Sequence, residues 1–425
     1  MRTFNTYINL PTRNLKNMGI PYHNRISPFL LSAIFLTHIL HSSAQAVEKI
    51  NAIHAAVPVI DLYGNGYQRG LAHGRLLKKQ IAEVYKKWKD NIAYNTKQDP
   101  DSVICQFYRS THFIPAIKRW TPDLYDEIKG IAKSSGQSFM DVLCFQLVDE
   151  FWVYLDRLEH SQKHHCSGIG ISAAGSHHAY IAQNMDLESY LNGYQVLLHI
   201  AGYKDVPEQF VLSAAGLIGL NGVNEKSIGV CVNTLMELNA CTDGLPGACV
   251  IRGILTRTDK PGALRFIQRI KHASGQNYII GAFDSVYDFE ASAGRVVRFL
   301  PTSSDYSIVY HTNHALANSD VKPWYEKNHR RILAGELKND NSVVRYASLE
   351  KRLGLQVNEL SEQVIKETLR SKDDPQNPVC RLYKNASSGF TFSSVVISLG
   401  RAPSIQLTNA SPDQSPYGLH TFKNK

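Results

Sequence analysis

The sequence changes character at Cys166, and this change constrains the fold more than any other feature. Upstream of it, apolar residues recur at helical spacing, as at Leu77, Ile81 and Val84, which is typical of an amphipathic helix. Downstream, short runs rich in β-branched and aromatic residues alternate with turn residues, which indicates strands. The chain is therefore expected to be α+β, with a helical segment at 47–165 and a strand-rich body at 166–425.

Strands are predicted downstream of the boundary wherever such a run is bounded by turn residues. The runs are 168–172, 180–184, 195–200, 210–214, 228–233, 278–282, 286–290, 307–311, 392–398 and 404–407. Helical periods interrupt them twice, at 264–270 and at 360–369. We therefore expect only a few helices in the strand-rich body.

The first 46 residues are predicted to be a secretory signal. An apolar run at 29–40 follows Arg25 and precedes the small-residue sequence Ala44-Gln45-Ala46, which is the order of parts in a cleaved signal. Met18 is a second possible start, and an uncleaved anchor is the alternative interpretation. The run is short for a bilayer span, so we expect a secreted or periplasmic protein without stable membrane insertion after signal removal.

Charge and cysteine content further limit what kind of protein this chain can be. Without residues 1–46, 42 basic residues face 37 acidic ones, and no long basic run is present, which argues against nucleic-acid binding. The seven cysteines are an odd number in an exported chain, so at least one thiol is free or is paired outside the chain. A disulfide between Cys241 and Cys249 is left open.

Three glycines near the start of the mature chain resemble a dinucleotide-binding loop only loosely. Gly64, Gly66 and Gly70 form GxGxxxG, one residue longer than the nucleotide fingerprint and without a complete βαβ unit around it. We interpret this stretch as a turn that enters a helix, and we expect no cofactor.

Cys166 itself has three interpretations: a packed core thiol, a metal ligand, or a nucleophile. For the second, His164, His165 and His178 could join it in a zinc site if a hairpin brought them together. For the third, the thiol needs a base, because the thiolate is the reactive form. A cut between His165 and Cys166 would create an α-amino group with a pKa of about 7.7–8.0, which suits a general base near neutral pH.

Several stretches around this cysteine resemble one enzyme family. The run 166–186, CSGIGISAAGSHHAYIAQNMD, is similar to the start of the catalytic chain of N-terminal-nucleophile hydrolases, in the branch of acyl-coenzyme A:6-aminopenicillanic acid acyltransferase. Further matches follow in the family's order, at 222–235, 244–255, 272–281, 310–314 and 377–383. Together they span most of residues 60–410.

The resemblance implies a fold and a set of roles. The fold would be the four-layer αββα sandwich, preceded by a helical prosegment that is cut off between His165 and Cys166. Cys166 would be the nucleophile, and Asp186 would hold its new α-amino group. The remaining carried-over residues would be the oxyanion donor Asn233, then Asn313, which binds the amino group or the tetrahedral intermediate, and the steadying arginine Arg381.

Three hypotheses about function remain. The first is a hydrolase that cleaves a small N-acyl amide through an acyl-thioester on Cys166, with acyl transfer as a possible second activity and the two chains of one precursor remaining together. The others are a secreted, non-catalytic binding protein of the same fold and the zinc-dependent hydrolase. Gln183 stands where related bile-salt hydrolases carry an arginine, which disfavours a bile-salt substrate.

Overall fold

The computed structural model describes residues 56–159, 165–300, 307–354, 359–385 and 388–423. They belong to one compact unit, Ala52–Lys425. The predicted signal at 1–46 and His164 lie outside the described residues. Among the helices that are described, none is long and apolar enough to cross a membrane.

Helices dominate the first part of the chain and are spaced between strands in the second. They are α1 (Gly66–Leu76), α2 (Lys78–Thr96), α3 (Pro100–Arg109), α4 (Phe113–Trp120), α5 (Pro122–Ser135), α6 (Phe139–Gln146), α7 (Val148–Glu159), α8 (Gly247–Leu255), α9 (Lys260–Arg269), α10 (Glu326–Leu333), α11 (Asn341–Leu353) and α12 (Glu362–Leu369). A short 3₁₀ turn covers Ser189–Leu191.

The strands form two sheets. They are β1 (Val59–Leu62), β2 (Ser167–Ile171), β3 (Tyr180–Leu187), β4 (Gln195–Ile200), β5 (Gln209–Ala214), β6 (Asn221–Asn224), β7 (Gly229–Thr234), β8 (Gln276–Gly281), β9 (Val286–Ala291), β10 (Val296–Phe299), β11 (Ile308–His311), β12 (Phe390–Ser398), β13 (Ser404–Leu407) and β14 (Gly418–Thr421). The larger sheet has the order β1-β4-β5-β6-β7-β8-β9-β10, and the smaller has the order β11-β2-β3-β12-β13-β14.

The two sheets pack face to face and are covered by helices outside. Strands β2 and β3 contact β7 and β8 across the interface, α8 packs on β6 and β7, and α12 packs on β3 and β12. Small residues allow this approach: a Cβ at Gly168 would lie 2.9 Å from Cδ1 of Ile279 on the facing strand. The αββα sandwich that the sequence predicted is therefore confirmed.

Helices α1 and α5 pack unusually closely, and the glycines of the GxGxxxG stretch explain why. Asn65 caps α1 by accepting from the backbone N–H of Gln68, and Gly64 has φ +82° in the preceding turn, a conformation that favours glycine. A Cβ at Gly70 would lie 2.0 Å from the backbone oxygen of Glu127. The prediction of a turn entering a helix is confirmed, and the glycines serve helix packing.

The segment 47–165, predicted to be helical, also contains one strand. Val59–Leu62 forms β1, which pairs in parallel with β4 at the edge of the larger sheet. Four residues are too few for a helical period to be distinguished from a strand. The four-residue strands β6, β10 and β14 were also missed, although β11 and β13 are equally short and were predicted, and most predicted runs lie within two residues of their observed bounds.

Candidate active site

Cys166 lies at the boundary between the helical segment and the strand-rich body, immediately before β2. It is 6% exposed. Pairing of Ser167 with Asn184 in the β2–β3 hairpin brings the cysteine beside the end of β3. There Sγ lies 3.8 Å from Sδ of Met185 and 3.6 Å from the backbone oxygen of Asp186. The hairpin thus places the thiol and Asp186 together.

The thiol is neutral in the uncut chain. Burial, together with the nearby Asp186 carboxyl, raises the pKa of Cys166 to about 12. Arg345 acts in the opposite direction but is outweighed. A thiol of this kind needs a nearby base to become nucleophilic.

Asp186 is buried, and only one of its two carboxylate oxygens has a hydrogen-bond partner among the described residues. Its Oδ1 accepts from Oγ1 of Thr391 at 2.7 Å on the neighbouring strand β12. Among the described residues its Oδ2, although buried, has no hydrogen-bond partner. Burial raises the pKa of Asp186 to about 6, despite the opposing effects of Arg381, Thr391 and Arg345.

Arg345 on α11 is a site residue that sequence reasoning missed. It is fully buried, and its guanidinium donates to the backbone oxygen of Cys166, to Oγ of Ser167 at 2.9 Å and to Oδ1 of Asn313 at 2.9 Å. Burial lowers its pKa to about 10, so it stays charged. Arg345 therefore fixes the position of the backbone around the candidate nucleophile.

Asn313 is oriented by three contacts in the loop after β11. Its Oδ1 accepts from Arg345, its Nδ2 donates to the backbone oxygen of Thr234 at 3.0 Å, and its N–H donates to Oγ of Ser342 at 2.7 Å. Arg345 also donates to the backbone oxygen of Cys166, so it links Asn313 to the candidate nucleophile. The role of Asn313 stays a prediction.

Arg381 and His165 lie at the same end of the site. The backbone of Arg381 exchanges hydrogen bonds with Thr391, the residue that donates to Asp186. Its Nη1 is buried and has no hydrogen-bond partner among the described residues. His165 Nδ1 lies 2.8 Å from Oδ1 of Asn341, which also accepts from Arg345 Nε. Both sides of the predicted cut are therefore held in place.

Asn233 is buried in a network of amides on β7. Its Nδ2 donates to the backbone oxygen of His311 at 3.0 Å and to Oδ1 of Asn277 at 3.3 Å, and its Oδ1 accepts from Gln183. Both N–H groups are thus engaged in this state. Its strand neighbours Val232 and Thr234 line the cavity beside Cys166, so the oxyanion role of Asn233 stays a prediction.

A cavity of about 40 Å³ opens beside the thiol. Cys166 and Asp186 line it together with Asp149 and Trp152 from α7, a helix that precedes the predicted cut. Asp149 Oδ1 accepts from Oγ1 of Thr234 at 2.8 Å, and burial raises the pKa of Asp149 to about 6. The cavity is therefore walled by residues from both sides of the His165–Cys166 bond.

The part of the chain that the structure describes contains no group of side chains that could bind zinc. No three His, Cys, Asp or Glu side chains gather there as metal ligands would. His177 Nδ1 lies 2.8 Å from the backbone oxygen of His178. All seven cysteines are free thiols, so Cys241 and Cys249 do not form a disulfide in this structure.

Known proteins that resemble the chain share modest sequence identity with it. Protein dcd1B of Dictyostelium discoideum is 25% identical over 223 residues, which cover 47% of this chain and only 42% of that protein. Among solved structures, a Caenorhabditis elegans ortholog of N-acylethanolamine-hydrolyzing acid amidase superposes with a TM-score of 0.37 at 15% identity, over 55% of this chain and 92% of that one. A mutant conjugated bile acid hydrolase of Clostridium perfringens gives 0.38 at 9% identity, over 61% and 97%.

A family model provides the decisive comparison. The model described as acyl-coenzyme A:6-aminopenicillanic acid acyl-transferase matches residues 173–414, which is more than half of the 425-residue chain. The match covers β3, β7, the Asn313 loop, α11 and β12, the elements that surround Cys166. The chain therefore belongs to the acyl-coenzyme A:6-aminopenicillanic acid acyltransferase family, as the sequence motifs predicted.

Proposed function

We propose that the chain is a self-processing cysteine hydrolase that cleaves linear N-acyl amides through an acyl-thioester on Cys166. One observation carries the proposal above the others. The buried Cys166 thiol lies beside Asp186, whose buried Oδ2 has no hydrogen-bond partner among the described residues. An ammonium group released next to that oxygen would satisfy it, and a cut before Cys166 releases such a group.

The cut begins when Sγ of Cys166 attacks the carbonyl carbon of His165. The peptide C–N bond breaks as the C–S bond forms, and the thiol proton passes to the leaving nitrogen, so the upstream chain becomes a thioester and Cys166 gains a free amine. Water then hydrolyses the thioester, giving a carboxylate at His165 and a free thiol at Cys166. Arg345, bonded to the Cys166 carbonyl oxygen, and Asn341, next to the His165 ring, hold the two sides of the bond during these steps.

Turnover on a substrate uses the groups that the cut leaves behind. The α-amino group, with a pKa of about 7.7–8.0, takes the thiol proton as Sγ attacks the substrate carbonyl. Asp186 orients this amine and stabilises it when it is protonated. The amide of Asn313 and the guanidinium of Arg345 supply donors close to the developing oxyanion, where fixed donors lower the barrier most. Water completes hydrolysis, and an amine in its place completes acyl transfer.

The upstream chain remains bound after the cut. Glu127 of α5 accepts from Arg252 of α8 at 2.9 Å in a fully buried ion pair. Asp156 of α7 accepts from the Tyr325 hydroxyl at 2.9 Å and lies 3.9 Å from the Lys322 ammonium. These contacts join residues on opposite sides of the His165–Cys166 bond, so the two chains act as one enzyme.

The predicted secretory signal bears on which reaction the enzyme performs. In an exported enzyme hydrolysis is the main activity, because coenzyme A thioesters are intracellular. No metal or coenzyme takes part in the steps above, and an N-acyl amide is the substrate class.

Electrophoresis with N-terminal sequencing of the purified protein tests the cut. We expect two chains, the smaller ending at His165 and the larger beginning at Cys166, and we expect Cys166→Ala to give one uncut chain. Cys231→Ala is the matched control, since Cys231 is also fully buried and should leave the cut unchanged. A wild-type protein that remains one folded chain would contradict self-processing.

Inhibitors applied to the mature enzyme test the nucleophile. A thiol alkylator should abolish hydrolysis of a panel of N-acyl amides, and mass spectrometry should place the adduct on Cys166. EDTA should have no effect. Inhibition by EDTA that added zinc reverses would favour the zinc-dependent hydrolase instead.

A further inference from the structure

Two neighbouring cavities in the described part of the chain share a wall. The first, of about 40 Å³, contains the Cys166 thiol. The second, of about 10 Å³, lies beyond Trp152 and Val148, two α7 residues that line both cavities. Trp152 and Val148 therefore lie between the cavity of the candidate nucleophile and its smaller neighbour.

The Trp152 ring is held firmly in this position. The residue is 6% exposed, and its indole N–H donates to Oε1 of Glu188 at 3.0 Å. Glu188 follows β3 directly, so the indole is tied to the same strand that carries Asp186. A ring fixed by both packing and a hydrogen bond is a rigid wall.

The space on each side of the wall has a distinct size and character. A water molecule needs roughly 10–15 Å³ of such space, so the first cavity holds about three non-hydrogen atoms and the second about one. The second is lined mostly by large apolar side chains, among them Trp88, Ile92, Phe151 and Leu155. Its surface suits methylene groups, but Trp152 blocks the way to it from Cys166.

We propose that Trp152 limits the length of the acyl chain that Cys166 accepts. Resting on the proposed function, this assigns short aliphatic acyl amides, such as acetyl and butyryl amides, as the substrate class of the wild-type enzyme. Removing the indole joins the two cavities into one apolar tunnel that takes longer unbranched chains. A residue of the upstream chain thus selects the substrate of a nucleophile on the downstream chain.

The test is a series of N-acyl amides with one amine and acyl chains from acetyl to decanoyl. The wild-type enzyme should favour the butyryl over the decanoyl amide by about 100-fold in kcat/KM, since a single misplaced methylene changes discrimination by 10- to 200-fold. Trp152→Ala should reduce this ratio by at least about tenfold. Trp152→Phe, which keeps most of the ring and is the safer variant for folding, should move the ratio in the same direction by a smaller factor.

Trp120→Phe is the matched control, because Trp120 packs against Phe266 in another part of the molecule. It should leave the ratio unchanged. A general loss of stability lowers kcat/KM for all chains alike, so the ratio separates specificity from damage. An unchanged ratio in folded Trp152→Phe and Trp152→Ala enzymes would overturn the proposal, as would a wild-type preference for the decanoyl amide.

A second readout separates this proposal from the proposed function. Chloromethyl alkyl ketones with short and long tails alkylate a thiol whether or not the protein cleaves amides, and mass spectrometry reports the rate at Cys166. Short tails should react faster in the wild-type protein, and Trp152→Phe should narrow the difference. If that pattern holds while no amide is cleaved, the proposed function fails and the role of Trp152 stands. If amides are cleaved without any dependence on tail length, the reverse is true.

Discussion

Two buried carboxylates, Glu127 and Asp186, have opposite surroundings. For Glu127, burial alone would raise the pKa, but Arg252 and Arg69 outweigh burial and lower the pKa to about 2. For Asp186, burial prevails over Arg381, and the pKa rises to about 6. Glu127 has hydrogen bonds on both oxygens, whereas Asp186 has one open oxygen among the described residues.

The difference separates a structural carboxylate, Glu127, whose charge is paired within the fold, from a carboxylate, Asp186, that can still accept a further hydrogen bond or ion pair. Glu127 ties α1 and α5 to α8, and its charge is neutralised within the folded chain as it stands. Asp186 lies beside Cys166, and its Oδ2 has no hydrogen-bond partner among the described residues. This is unfavourable for a charged group in the interior. Perturbed carboxyls of the second kind concentrate at functional sites. The comparison predicts that the two residues respond differently to removal of charge.

The largest effect is expected for Glu127→Gln. The variant leaves Arg252 buried without its ion-pair partner and leaves Arg69 paired with Asp123 alone, which costs about 3–5 kcal/mol of unfolding free energy. Urea unfolding of the uncut Cys166→Ala protein, with and without Glu127→Gln, measures the difference. Asp90→Asn is the control, because its pair with Lys86 is exposed and contributes at most about 1 kcal/mol. Equal effects of the two substitutions would show that Glu127 is not the structural charge described above.

The next effect is on catalysis. Asp186→Asn and Asn313→Ala should each lower kcat by about 10²–10³-fold, because each weakens the hold on a charged group that forms during the reaction. Circular dichroism should show both variants folded, since neither side chain belongs to the apolar core. Unchanged kinetics in either variant would remove that residue from the site.

The smallest effect is a pH dependence of stability in the uncut chain. The folded-state pKa of Asp186, about 6, lies above its unfolded value, so Asp186 destabilises the folded chain as pH rises through this range. In the Cys166→Ala background, Asp186→Asn should therefore raise the unfolding free energy at about pH 8 by up to about 3 kcal/mol, and should change it little at about pH 4. Denaturation curves at the two pH values measure this. A benefit that is equal at both would place its origin elsewhere.

Part of the candidate site could be predicted from sequence, because its residues lie close together along the chain. Cys166 marks a change in periodicity, and Asp186 falls on the strand that a short hairpin returns beside it. The alternating runs predicted a strand-rich body, and the αββα layers came from the family resemblance alone. Asn313 was placed by a local motif, and the structure brings it within reach of Arg345, which also holds Cys166.

Arg345 could not be identified in this way, because its partners at the candidate nucleophile, Cys166 and Ser167, lie more than 170 positions away in the sequence. A signal did exist. Asp340 caps α11, and Arg345 occupies the buried stripe of that helix with Leu349 and Leu353. An arginine where the helical period calls for an apolar residue indicates a buried partner, although the period does not say which one. The engaged N–H groups of Asn233 likewise depend on two other strands, because their acceptors are His311 on β11 and Asn277 on β8.

Strand β1 has a consequence for how the enzyme is made. It lies upstream of the proposed cut but pairs with β4, which lies downstream of it. After the proposed cut, separating the chains would strip the edge of an eight-stranded sheet. Refolding of the denatured pair would then be a bimolecular reaction whose rate depends on protein concentration, while the uncut chain refolds at a rate independent of it. The precursor would thus encode a fold that its mature form regains only by reassociation, and the lifetime of the mature enzyme would depend on how slowly it unfolds.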